Sequence, residues 1–452
     1  YALNLERLGA VPSPRGGETR VWDDLRDYRR VLRRTLEEHA RLDRSKDALV
    51  DHLPVIQRVA LEARRNLLAL HRERFGADAL DRELCERALV VVCGGGGGAG
   101  LVYLGAFQLL EEMGLAPALL VGTSMGSGMA FMRALARRWD PLNLPLRPPK
   151  GFAMNRVIRP GRMKSRYGLP GLLRLDWYDV AEAMFRGSPW RGVPDVGDLA
   201  IPYLSVVTGV RRGFEERSAP TLARMEGEDV SLGRPSSVLR AARLFARLAR
   251  ELAELRPMMK EIALGEDDLT RAMPTPDAVG FSCSVPGVLH YDMLRWDRRA
   301  KKLLDALLER EDVVRLTDGG VVSNVPARAA WRAVESGRLG TRNAFILALD
   351  AFAPRPTAGA NAMLLGVQNL VRANVRRQRP YATLTKTFRR TPSPLEFLGH
   401  LDRYRRIAGR GHAELAEERG LIARMMRPVR MESLFAELPR ERKFRPAPKR
   451  KG

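Results

Sequence analysis

From Thr19 to about Arg87, hydrophobic residues recur mostly at steps of three and four, with Val21, Leu25, Tyr28, Leu32, Leu36 and Leu42 separated by charges. That spacing lays an apolar stripe along a 3.6-residue helix and predicts two or three amphipathic helices. From Ala88 the texture changes to short apolar runs: ALVVV (88–92), ALLV (118–121), YLSVVTGV (203–210), VVRL (313–316) and AFILALD (344–350). Helical patterns over 101–113 and from about 125 separate the first of these. Strands alternating with helices predict an α/β fold with a mainly parallel sheet covered on both faces.

Two stretches break the rhythm. Pro141–Pro170 is rich in proline and arginine and reads as an irregular surface loop. Ser236–Leu264 reads as a basic amphipathic helical insertion, with Leu239, Leu244, Leu248, Leu252 and Leu255 along one stripe. The stripe fits a helix docked on the sheet, or a cap that touches a membrane. After Pro354 the chain turns helical and strongly basic, and its closing RERKFRPAPKRKG, with seven basic residues and one acidic, reads as a solvated, flexible end.

Two charge-free runs, Ala88–Leu110 and Met113–Met132, are long enough for a membrane span. The glycines inside them instead fit buried strands turning tightly into helices, so no transmembrane segment is expected. The first residues lack the apolar core of a signal peptide.

Composition narrows the partners. Among 452 residues, 77 Lys and Arg oppose 53 Asp and Glu, and the excess of +24 draws the chain towards phosphate-bearing surfaces. Charge alone does not choose between nucleic acid and anionic lipid, but no aromatic-basic recognition motif supports nucleic acid. Cys85, Cys93 and Cys283 are too few and scattered for a disulfide framework or a zinc site, which points to buried thiols, a reducing, cytoplasmic setting and no metal.

The chemistry concentrates after the first strand, in VVVCGGGGGAG (90–100). Gly95, Gly97 and Gly100 satisfy the dinucleotide spacing, but five consecutive glycines do so almost automatically. The acidic residue that would hold a ribose is missing, since Val121, Gly122 and Thr123 stand at the end of the second strand. Leu101 and Val102 follow Gly100 where a P-loop needs Lys and Ser or Thr.

The second strand runs instead into GTSMG (122–126), a G-x-S-x-G in a strand-turn-helix setting. This is the form of a nucleophile elbow, with Ser124 at a helix N-terminus, although a small-residue turn can be purely structural. A serine needs a base. None of the six histidines lies in an evident catalytic motif, whereas Asp318 closes a predicted strand before Gly319 and Gly320. Asp-Gly between apolar runs is equally a hairpin signal.

Taken together, the loop Gly95–Gly100, the elbow Gly122–Gly126, the S-x-P-G segment Ser284–Gly287 and Asp318–Gly320, followed by Asn324 and Pro326, resemble the patatin-like phospholipase family. The resemblance covers roughly 88–352. It implies a three-layer α/β/α sandwich that cleaves acyl esters of membrane phospholipids or related lipids without a cofactor. Ser124 would be the nucleophile, Asp318 its base, and the backbone N–H groups of Gly95, Gly96 and Gly97 the oxyanion hole. Gly100, Gly122, Gly126, Gly319 and Gly320 would support these motifs. Ala99 departs from the family's usual Arg or Lys, and Tyr103 from its usual small or polar residue.

The expected organisation is an N-terminal helical extension (1–87), a catalytic domain (88–355) with a helical insertion at about 211–268, and a basic helical C-terminal extension (356–452). Peripheral contact with anionic membranes is expected from the charge. Two rivals remain: a triad esterase using His290, His400 or His412, and a catalytically silent lipid- or partner-binding protein.

Overall fold

The structure is a computed structural model. It describes residues 1–13, 16–42, 46–140, 157–160, 165–186, 188, 190, 192–227, 235–352, 374–392, 401–431 and 435. The chain forms two compact units, one of residues 1–88, 334–344 and 424–452, the other of 89–333 and 345–423.

The first unit opens with α1 (Ala2–Arg7), the short antiparallel pair β1 (Ala10–Pro12) and β2 (Glu18–Arg20), and then α2 (Arg26–Leu42), α3 (Lys46–Leu70) and α4 (Ala77–Cys85). The apolar stripe read from the sequence is its core. Val21, Leu25, Tyr28 and Leu32 are buried with Leu5, Ala60, Leu67, Leu80 and Leu84.

The second unit is built on β3 (Ala88–Cys93), α5 (Tyr103–Glu112), β4 (Leu119–Thr123) and α6 (Met125–Ala134). It continues through β5 (Ile158–Pro160), β6 (Gly171–Leu175), α7 (Trp177–Arg186), β7 (Tyr203–Val210), α8 (Arg212–Gly227), α9 (Pro235–Glu254) and β8 (Met259–Leu264). Next come α10 (Asp268–Arg271), α11 (Thr275–Ser282), β9 (Gly287–His290), α12 (Arg298–Glu311), β10 (Arg315–Asp318), α13 (Ala327–Glu335) and β11 (Ala344–Asp350). After these lie β12 (Leu384–Thr387), α14 (Leu401–Ala416) and α15 (Arg419–Met426).

The central sheet has the order β10-β7-β4-β3-β11-β12, with β8 also on β7. It is mixed and mainly parallel: β3 with β4, β4 with β7 and β11 with β12 run parallel, whereas β8 and β10 run antiparallel to β7. All eight residues of β7 are buried, so both faces of the sheet are covered there. This agrees with a three-layer α/β/α arrangement.

Three stretches differ from the sequence pattern. Ser236–Leu264 is not one helical run: α9 ends at Glu254, and Met259–Leu264 pairs with β7 as β8. Pro257 stops the helix, and the six residues that follow are too few to show a strand period. Pro141–Pro170 is not wholly irregular, because Ile158–Pro160 pairs with β6, while 141–156 and 161–164 lie outside the described residues. The basic stretch after Pro354 is not wholly helical, since β12 extends the sheet beside β11. Residues 353–373 and the closing tail from 436 also lie outside the described residues.

From Leu244 onward, the leucine stripe faces its own unit. Leu248 and Leu252 are buried with Phe214, Leu222, Met225 and Val321, and Leu244 and Leu255 pack against them. The charge-free runs form strands and short helices, and no helix among the described residues is long and apolar enough to cross a membrane.

Candidate active site

The sheet register brings the two ends of the site together. β4 runs parallel to β7 and ends with Thr123 opposite Val206. β10 runs antiparallel to β7 and ends with Asp318 opposite Val207. Since β8 pairs with the same β7 residues, β4 and β10 must share the other edge and meet end to end. Asp318–Gly320 is therefore not a hairpin turn. It is a strand end running into a 3-10 turn over Gly319–Val321.

Ser124 is the first residue beyond β4 and sits at φ 54°, ψ −131°. Among the described residues, Asp312 is the other non-glycine at positive φ. Such a conformation costs about 1–3 kcal/mol and persists only where the surroundings enforce it. Two glycines make room for the tight turn that holds it. A β-carbon on Gly122 would lie 2.4 Å from Ser127 Cα, and one on Gly126 would lie 2.2 Å from the Cys93 carbonyl oxygen. The Ser124 N–H donates to Ser282 Oγ at 2.9 Å, and that hydroxyl donates to the Val206 carbonyl at 2.6 Å.

Asp318 is buried at the matching strand end. Its N–H and the Thr317 hydroxyl donate to the Ser284 carbonyl at 3.0 and 2.8 Å, so the S-x-P-G segment holds the base of this strand. Gly320 donates its N–H to Asp318 Oδ1 at 2.7 Å, and buried Oδ2 lacks a full hydrogen bond. Burial lifts the Asp318 carboxyl from 3.8 to about 6, against the opposing pull of the Ser124 hydroxyl and the Gly320 N–H. A β-carbon on Gly319 would lie 2.2 Å from the Val206 carbonyl oxygen, so this turn also requires bare backbone.

The glycine loop closes the third side. Gly96 and Gly97 stand at the N-terminal end of a 3-10 helix over Gly97–Val102, where N–H groups have no partner within the helix. Gly97 has φ 55°, a value glycine reaches without strain. Gly95 must be removed from the expected donors, because its N–H is spent on the Asn324 carbonyl at 2.9 Å. Its need for glycine is steric: a β-carbon would lie 2.7 Å from Asn324 Oδ1 and 3.1 Å from Ser124 Cβ. Gly100 likewise makes room for Met125, whose Cγ would be 2.7 Å from an added β-carbon.

His290 and His412 each face partners other than Ser124. His290 is buried between Ser165, 3.3 Å from its Nδ1, and Asp292, 3.7 Å from its Nε2. His412 Nε2 pairs with Glu112 at 2.8 Å, and His400 is outside the described residues. The triad reading thus finds no support at His290 or His412.

Two residues beside the site carry no sequence signal. Ser282 anchors the elbow, as described above. Asn374 is buried and donates through Nδ2 to the carbonyls of Gly320 and Val321 at 3.3 and 3.0 Å, clamping the turn that holds Asp318. Its own oxygen accepts from Arg256. No motif marks either residue, since their partners lie 158 and 54 positions away along the chain.

The model of the patatin-like phospholipase family matches residues 91–150. Two fungal proteins, each named lysophospholipase nte1, from Aspergillus fumigatus and Neosartorya fischeri, are 44% identical over 59 residues, which is 13% of this chain and 4% of each relative. The match therefore spans a small part of the curated relatives. The matched family segment contains the glycine loop and the Ser124 elbow, while Asp318 lies beyond it.

Proposed function

We propose that this chain is a lipid acyl hydrolase that cleaves glycerophospholipids or lysophospholipids through an acyl-serine intermediate. The carrying observation is the end-to-end meeting of β4 and β10 on β7, which sets a serine at strained positive φ beside a buried carboxyl. The segment similar to patatin-like phospholipases supports the lipid-ester class.

In this reading the Ser124 hydroxyl attacks the acyl carbonyl as Asp318 takes its proton. The negative charge that develops on the carbonyl oxygen is met by the Gly96 and Gly97 N–H groups. Preorganised donors of this kind are worth about 3–4 kcal/mol each when removed. Protonated Asp318 returns the proton to the departing alcohol oxygen as the tetrahedral species collapses. A water then loses its proton to Asp318 as it attacks the acyl carbon, and collapse breaks the bond to Ser124, whose oxygen takes that proton back as the fatty acid is freed. A carboxyl with a pKa near 6 suits both directions of transfer at neutral pH.

The lipid surface is part of the proposal. α9 buries Leu248 and Leu252 and exposes Arg243, Arg247 and Arg250, so contact with an anionic membrane would come through charge. Binding to vesicles containing phosphatidylglycerol then weakens as salt rises, and salt-independent binding removes this part.

A fluorophosphonate probe tests the chemistry directly. Labelling at Ser124, lost in Ser124→Ala together with release of fatty acid from lysophosphatidylcholine, is the expected result. Folded protein that neither labels nor hydrolyses would instead be a silent binding protein on this fold.

A further inference from the structure

Tyr103 is fully buried at the start of α5, with its ring edge-on to Phe388 at a centroid distance of 6.0 Å. Its hydroxyl lies 2.9 Å from the Gly94 carbonyl oxygen and 3.1 Å from that of Leu349, and it accepts the Ala351 N–H at 3.0 Å. One hydroxyl thus joins the first glycine of the loop to the end of β11. The Gly94 N–H, donating to the Leu349 carbonyl at 2.9 Å, strengthens the same junction.

The consequence follows from peptide planarity. The Gly94–Gly95 peptide is held on both sides: its carbonyl faces the Tyr103 hydroxyl, and its N–H donates to the Asn324 carbonyl. The next carbonyl, that of Gly95, faces Asn324 Nδ2 at 3.4 Å. In a trans peptide the N–H points opposite to the carbonyl, so the Gly96 N–H is turned away from Asn324. Glycine backbone left unheld samples many conformations.

We propose that Tyr103 is a positioning residue for the oxyanion site, its hydroxyl fixing the Gly94–Gly95 peptide and thereby the direction of the Gly96 and Gly97 N–H groups. The inference rests on the proposed role of those two amides.

The test is Tyr103→Phe, which removes the hydroxyl alone, assayed on the soluble ester p-nitrophenyl butyrate. The expected result is a fall in kcat of fivefold or more with KM within twofold, matched by slower fluorophosphonate labelling of Ser124. The pH at which kcat/KM turns should stay put, because Tyr103 acts on the loop and not on Asp318. A smaller fall in kcat, or a loss carried by KM, overturns the proposal. Should the variant not fold, hydrogen exchange of the wild-type protein decides. Exchange of the Ala351 N–H, which the Tyr103 hydroxyl accepts, within tenfold of the β3 amides supports the brace, and faster exchange overturns it. Wild-type protein without any esterase activity would remove the proposed function instead, and the exchange measurement would still show whether the loop is held.

Discussion

Thr123 and Asp318 occupy consecutive register positions along one edge of β7, Thr123 opposite Val206 and Asp318 opposite Val207, although they are 195 residues apart in the chain. The approach of Ser124 to Asp318 therefore follows from backbone pairing in the sheet. Side chains refine it: Thr123 Oγ1 donates to the Ser323 carbonyl at 3.0 Å, and Thr208 Oγ1 donates to the Asp318 carbonyl at 2.9 Å.

A base held at about 6 sets the pH dependence of the proposed reaction. Only the carboxylate can accept the serine proton, so kcat/KM should be level above neutrality and fall about tenfold per pH unit below 6. Initial rates between pH 4.5 and 8 on a soluble ester measure this. A turning point near pH 4 would mean that the carboxyl is solvated during turnover.

The same shift governs stability with the opposite preference. The folded pKa of Asp318 lies above its ordinary 3.8, so the folded state favours the protonated form. This contribution is complete below about pH 3.8 and is lost as pH rises through about 6. At pH 7 the buried carboxylate then costs about 3 kcal/mol. Asp318→Asn should abolish hydrolysis and raise the melting temperature at pH 7, with the gain fading towards pH 4. Melting curves at the two pH values give the sign, and a variant less stable at pH 7 would contradict it.

The strands and the elbow were legible because their determinants are local. Three apolar runs turn where glycine is sterically required, and Gly122 and Gly126 can be read from the motif alone. Asp318 was ambiguous between a hairpin and a strand end, since the deciding partner, β7, lies about 110 residues away. The Gly95 N–H was misassigned because its acceptor belongs to Asn324, distant in sequence. β8 was hidden behind the leucine stripe of α9, whose periodicity dominates any window that spans both.

The glycines divide into two kinds that a single substitution separates. Gly126→Ala places a methyl 2.2 Å from a carbonyl oxygen of the main chain, and the protein should lose its fold or several kcal/mol of stability. Gly96→Ala meets nothing closer than 3.6 Å and should fold normally. Its methyl group crowds the loop proposed to receive the acyl oxygen, so turnover should drop at least tenfold while substrate binding changes little. Denaturant melts and steady-state kinetics on the pair check this, and equal effects on kcat and KM for Gly96→Ala would make that glycine purely structural.

Ser282 joins strain at the elbow to the sheet beneath it. Its hydroxyl accepts the Ser124 N–H and donates to the Val206 carbonyl, which belongs to the residue opposite Thr123. Ser282→Ala leaves the Ser124 N–H without its acceptor and removes a hydrogen bond to the Val206 carbonyl, and an unsatisfied buried group costs about 1–3 kcal/mol. The expected loss of stability is about 2 kcal/mol, read from the denaturant midpoint at constant slope. Relief of the positive φ at Ser124 should accompany it, slowing fluorophosphonate labelling several-fold without moving the pH at which activity turns. Unchanged labelling in a destabilised variant would show that Gly122 and Gly126 hold the elbow without help from Ser282.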